Sequence, residues 1–169
     1  MMTPSPSLRE PRMKLSEQFK PGTLVRAAFC SEANFSHWAD PRGPELEVSR
    51  ILYPAPQSSH FQAIGGIFHS GDSFYLQVVE GPVDSVEWYL LRTEHDPRHT
   101  RFKLICADAA DERHFKPGAL RYFGTHEQLH DLHQRHGFDA FDPYRYTHEM
   151  VAEFVGLSVE SDSESAEVS

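Results

Sequence analysis

Residues 63–82 read AIGGIFHSGDSFYLQVVEGP: two apolar runs joined by Ser70-Gly71-Asp72-Ser73 and closed by Gly81-Pro82. Short runs rich in Val, Ile and aromatics, bounded by Gly and Pro, are strands, and the small polar linker is a hairpin turn. A hairpin in mid-chain commits the fold to an antiparallel pair on which the rest must pack. Upstream, Thr23–Ser31 (TLVRAAFCS) places Val25, Ala27 and Phe29 on one face, which predicts another strand. A polar loop over 32–43 then leads to PELEVSRILY. Pro44 suits the first turn of a helix there, and Pro54 and Pro56 end it because neither can donate a helical hydrogen bond. After the hairpin, Val83, Val86, Leu90 and Thr93 recur at helical spacing. TRFKLICA (100–107) alternates again, with Phe102, Leu104 and Cys106 on one side. The order β-α-β-β-α-β is the ferredoxin-like plan, an α+β fold with two helices on one face of the sheet.

Further helices are expected beyond it. Thr125 and Gln128 have capping-box spacing, Gly137 sits where a C′ glycine belongs, and a second helical stretch spans roughly 143–155. The chain therefore divides into a disordered arm (1–22, with helical tendency around 13–19), a domain (23–122), a helical extension (123–157) and a serine-rich acidic tail (158–169), which is expected to be solvated. The formal charge of −9 disfavours nucleic acid and anionic membranes as partners. No apolar stretch approaches the ~20 residues that span a bilayer, and the first ten residues lack the apolar core of a signal peptide. Two cysteines, Cys30 and Cys106, make no disulfide framework. A cytoplasmic location follows as the expectation.

The motifs resemble the BLUF family, the sensors of blue light using FAD. The hairpin is similar to that family's central pair and keeps Ile64, Gly66, Gln77, Glu80 and Gly81 at its spacing. Leu24–Ser31 resembles the family's first strand, L-x-R-x-x-Y-x-S. Asp96-Pro97-Arg98-His99 resembles its D-x-R-H motif, and Arg113-His114-Phe115 its R-x-F motif. The resemblance covers residues 23–122. It implies a non-enzymatic sensory module with FAD between two helices and the sheet. In such modules a strand tyrosine and a glutamine respond to light, and the signal passes to a protein partner or output domain. Cofactor contacts, if FAD is retained, are implied for Gln77, Ser59, Ser58, Phe29, Arg26, Arg98 and His99.

Against that pattern four departures stand out. Phe29 occupies the place of the electron-donating tyrosine and has no hydroxyl. Ser58 and Ser59 replace the asparagine pair that anchors the flavin. Gly118 and Leu120 replace the tryptophan and methionine of W-x-M. Pro54 and Pro56 interrupt the first helix. The expectation is a signalling module that works by protein contact, a homodimer being one form of that, with photochemistry lost and FAD binding weakened. One alternative is a working photoreceptor with a compensated site. Another is an acylphosphatase-like hydrolase on the same plan, but Glu32-Ala33-Asn34-Phe35 offers no glycine-rich anion cradle. His126, His130 and His133 recur along one helix, with His136 three residues on; the expectation is an exposed polar face and no metal. His99 is expected to pair with Asp96 or cap a helix end, and His69 to point to solvent.

Overall fold

The structure, a computed structural model, describes residues 14–33, 59–71, 73–97 and 99–168. The helix expected over 44–53 with its prolines, the loop from 34, Ser58 and Arg98 lie outside the described residues. The elements in order are β1 (Leu24–Ala33), α1 (Ser59–Gln62), β2 (Gly65–Gly71), β3 (Phe74–Pro82), α2 (Val83–Glu94), β4 (His99–Ala109), β5 (Ala119–Tyr122), α3 (His126–Arg135) and α4 (His148–Val168).

The strand order is β4-β1-β3-β2-β5. The first four strands pair antiparallel and β5 joins β2 in parallel. This is the expected α+β ferredoxin-like sheet with one strand added. Central strand β3 is buried on both faces, so its sequence does not alternate apolar with polar, and its two polar residues, Gln77 and Glu80, are themselves buried. Phe29, Val79, Val86, Tyr89 and Leu90 build one core with α2. Ile67, Leu76, Val78, Leu132 and Phe154 build a second core on the opposite face under α3 and α4. Gly65, Gly66 and Gly81 of the hairpin are required by contact. A Cβ on Gly66 would lie 2.3 Å from the Val78 carbonyl oxygen, which no relaxed strand pair tolerates.

Several sequence expectations are corrected. The arm over 1–22 is ordered from Lys14: Leu15 is fully buried in the first core, and the Ser16 amide donates to Glu87 of α2 at 3.1 Å. Leu15, with Phe19 packed beside it against the same core, docks an otherwise polar segment. The tract over 158–169 continues α4 as far as Val168, with Ser158 fully buried. No Gly or Pro follows Gly156 to stop the helix. Strand β5 was not anticipated, because of its four residues only Leu120 is buried. Cys106 does not share a face with Phe102 and Leu104. The register shift between Ala28 and Phe29 pairs them with Cys106 and Leu104 and skips Ile105, a bulge that turns Cys106 to the second core.

The capping box and the glycine stop are as expected. Thr125 Oγ1 accepts from the Gln128 amide at 3.1 Å, and Gly137 has φ +78°. The histidine helix is not a solvated face throughout. His133 is buried, shares a 2.8 Å hydrogen bond with the Tyr146 hydroxyl and stacks on Phe138. His69 also points inward, packed against Tyr122 and Phe141, because β5 and the C-terminal segment cover that side of β2.

Candidate functional site

In the middle of the α2-covered face, Phe29 of β1 pairs in register with Gln77 of β3. Both are buried, at 0% and 2% exposure. The Phe29 ring stacks on Phe102 with centroids 5.1 Å apart and lies 6.1 Å from the ring of Tyr89. Tyr89 comes from α2, one turn after Val86, and its hydroxyl donates to the Gln77 Oε1 at 2.8 Å. The centre of an otherwise apolar core face is therefore a carboxamide held by a phenol. A phenol can donate or accept, and a carboxamide presents both an oxygen and an NH2 group, so the pair can bond in either orientation.

The other predicted positions that the structure describes, Arg26, Ser59 and His99, disperse. Arg26 lies on the opposite face, where it bonds Glu80 through Nε at 2.9 Å and Nη2 at 2.8 Å. The fully buried Glu80 also accepts from the amides of His114 and Phe115 at 2.8 and 2.6 Å. The E-G of the motif thus anchors the segment after β4. His99 opens β4, with Nδ1 2.7 Å from the Ser31 hydroxyl and its ring against Tyr75. Ser59 is exposed at the start of α1; the next residue, His60, bonds Ser85 at 3.0 Å and stacks on Trp88. Leu120, at the second W-x-M position, is buried in the first core, while Gly118 takes φ +82° ahead of β5. Of the five implied contacts among the described residues, Phe29 and Gln77 are brought together. Tyr89 was missed by sequence reasoning. Its signal was its position three residues after Val86, inside the apolar stripe of α2.

This face suits a flavin in part. The apolar side chains around Phe29 and Gln77 match the faces of an aromatic ring system, and the carboxamide and phenol match its carbonyl and imine edge. Ser59 offers one hydroxyl, a shorter and weaker anchor than a carboxamide.

Two comparisons place this geometry. BlsA in its photo-activated state shares the fold with a TM-score of 0.67 at 20% identity, over 80% of this chain and 94% of that one. The BLUF protein BlrB in its dark state shares it with a TM-score of 0.61 at 22% identity, over 85% and 99%. The Klebsiella pneumoniae BlrP1 calcium/cy-diGMP complex, a longer chain of which 34% is covered, gives a TM-score of 0.51 at 19% identity over 79% of this chain. No curated protein matches in sequence. The class is that of α+β domains with a ferredoxin-like sheet. The model of the family described as sensors of blue light using FAD matches residues 24–120, more than half of the sequence, and the chain belongs to the BLUF family. That family binds FAD. Among the described residues no helix is long and apolar enough to cross a membrane.

Proposed function

We propose that this chain is a cytoplasmic signalling module of the BLUF family that acts by protein–protein contact, performs no catalysis, and has lost the photocycle driven from a strand tyrosine. The observation that carries this reading is Phe29, fully buried and in register with Gln77. A phenylalanine ring has no proton to release and no hydrogen bond to offer the carboxamide. A bound flavin would supply light absorption and a site of electron acceptance; Gln77 would hold its ring edge, and the apolar face would exclude water. Each anchoring hydrogen bond missing at Ser58 and Ser59 weakens retention by about 1–3 kcal/mol.

The test is the absorption spectrum of the purified protein, dark and under blue light. No light-induced red shift is expected. A yellow protein whose bands shift red under illumination overturns the proposal. Phe29→Tyr combined with Ser59→Asn is expected to raise flavin content and restore a shift.

One observation favours a second reading, a working photoreceptor with a compensated site. Tyr89 places a hydroxyl on Gln77 from α2 rather than from β1. On this reading the unaltered chain shifts colour and Tyr89→Phe abolishes the shift while flavin content is unchanged.

A further inference from the structure

The second face of the sheet holds a cavity of about 470 Å³ between the strands and α4, lined in part by Arg26, Val78, Cys106, Asp108, His148 and Val155. Three side chains of different chemistry converge there. The Cys106 sulfur, an Asp108 oxygen and a His148 ring nitrogen all lie within 4.8 Å of one another. Cys106 and Asp108, two residues apart, project from the same face of β4, and the bulge opposite Ala28 and Phe29 turns that face toward α4. His148 is the first residue of α4, and its Nε2 lies 2.6 Å from Asp108 Oδ2. Two strand ligands two residues apart and a third from a separate helix make a chelating set.

We propose that Cys106, Asp108 and His148 bind a divalent transition cation of borderline softness, Zn²⁺ being the best match, with the fourth coordination position opening on the cavity. Thiolate, imidazole and carboxylate together suit Zn²⁺ and disfavour Ca²⁺ and Mg²⁺, which require oxygen ligands. Bond lengths of about 2.0–2.3 Å place tetrahedral ligand atoms about 3.4–3.7 Å apart. The Asp108–His148 pair must therefore open by about 1 Å, which exposed side chains allow. The side chains of His148 and Asp108 are 65% and 58% exposed. On binding, the Cys106 thiol gives its proton to solvent, and thiolate plus carboxylate then balance the dication. Two positive features face the site. The guanidinium of Arg26 is compensated by Glu80 at 2.8 Å. The amino end of α4 opposes a cation weakly, within its first turn.

The bound ion would fasten α4 to edge strand β4, so occupancy would set how firmly the C-terminal helix lies on the sheet. The experiment titrates the reduced full-length protein with Co²⁺, followed by Zn²⁺ competition. The expected result is a thiolate-to-cobalt charge-transfer band saturating at one equivalent and removed by Zn²⁺. Cys106→Ser should abolish it. His148→Ala and Asp108→Asn should each weaken binding by more than about a hundredfold, beyond what an outer-shell change costs. Cys30→Ala should leave it intact, since Cys30 is fully buried and lies outside the Cys106–Asp108–His148 cluster. A spectrum without a thiolate band, as the α3 histidines alone would give, overturns the proposal. So does a band indifferent to His148→Ala or Asp108→Asn.

Discussion

The hydroxyl of Tyr89 and the carboxamide of Gln77 form a 2.8 Å hydrogen bond inside the protein, helix to strand, twelve residues apart in sequence. Tyr89 is 1% exposed and Gln77 2%. In Tyr89→Phe the carboxamide oxygen loses this donor in a place water does not reach. The expected cost is about 1–3 kcal/mol of folding stability, read as a lower denaturation midpoint at unchanged slope. An unaltered midpoint would mean that the bond contributes nothing net.

Glu80 is the second buried polar centre, and it is structural. Its carboxylate receives one guanidinium and two backbone amides. Glu80→Ala strands both amides and leaves the Arg26 guanidinium to the Glu112 carbonyl oxygen, and about 3–5 kcal/mol should be lost. Glu80→Gln keeps an acceptor oxygen for the amides and should lose less. Urea unfolding of the two variants side by side measures the difference; equal losses would refute the role of the amides.

The pH dependence follows from His69. Burial holds this imidazole below its ordinary value of 6.5, at about 4. Its proton is bound more tightly by the unfolded chain, so stability is fully present above about pH 6.5 and is lost as pH falls toward 4. The loss from this group approaches about 3 kcal/mol. His133, lowered by desolvation and by the neighbouring His130 and His136, acts in the same direction. Thermal unfolding followed between neutral and acid pH should show the decline, and His69→Leu should flatten it. A profile unchanged by that substitution would contradict the assignment.

Gly66 is a packing position. In Gly66→Ala the added methyl meets the Val78 carbonyl oxygen and the Leu120 side chain. The β2–β3 pair must part, at a cost of about 1–3 kcal/mol. Accelerated amide exchange across Ile67 and Val78 should accompany the drop in stability, and unchanged exchange would argue that the sheet absorbs the methyl elsewhere.

The order of the four main strands and α2 was legible because each carries its own period and its own Gly or Pro boundary. What covers each face was not. Alternation puts His69 opposite Phe68, but nothing local says that Tyr122 and Phe141 will close over it. The same holds for His133, whose partner Tyr146 lies thirteen residues away beyond a turn. The Phe29–Gln77 pairing was readable from motif spacing. The phenol that bonds Gln77 was not sought on α2, where Tyr89 reads as one more apolar contact. The bulge in β4 was invisible, since TRFKLICA alternates acceptably in either register, and the convergence of Cys106, Asp108 and His148 depends on it.

Strand β3 belongs to two layers at once. Gln77 looks toward α2, while Leu76 and Val78 on either side of it are sealed into the core beneath α4. The peptide planes flanking the carboxamide are therefore common property of both halves of the molecule. A twist of that backbone large enough to reorient Gln77 must also tug on the seats of two aliphatic side chains across the sheet, with no loop or hinge between to absorb it.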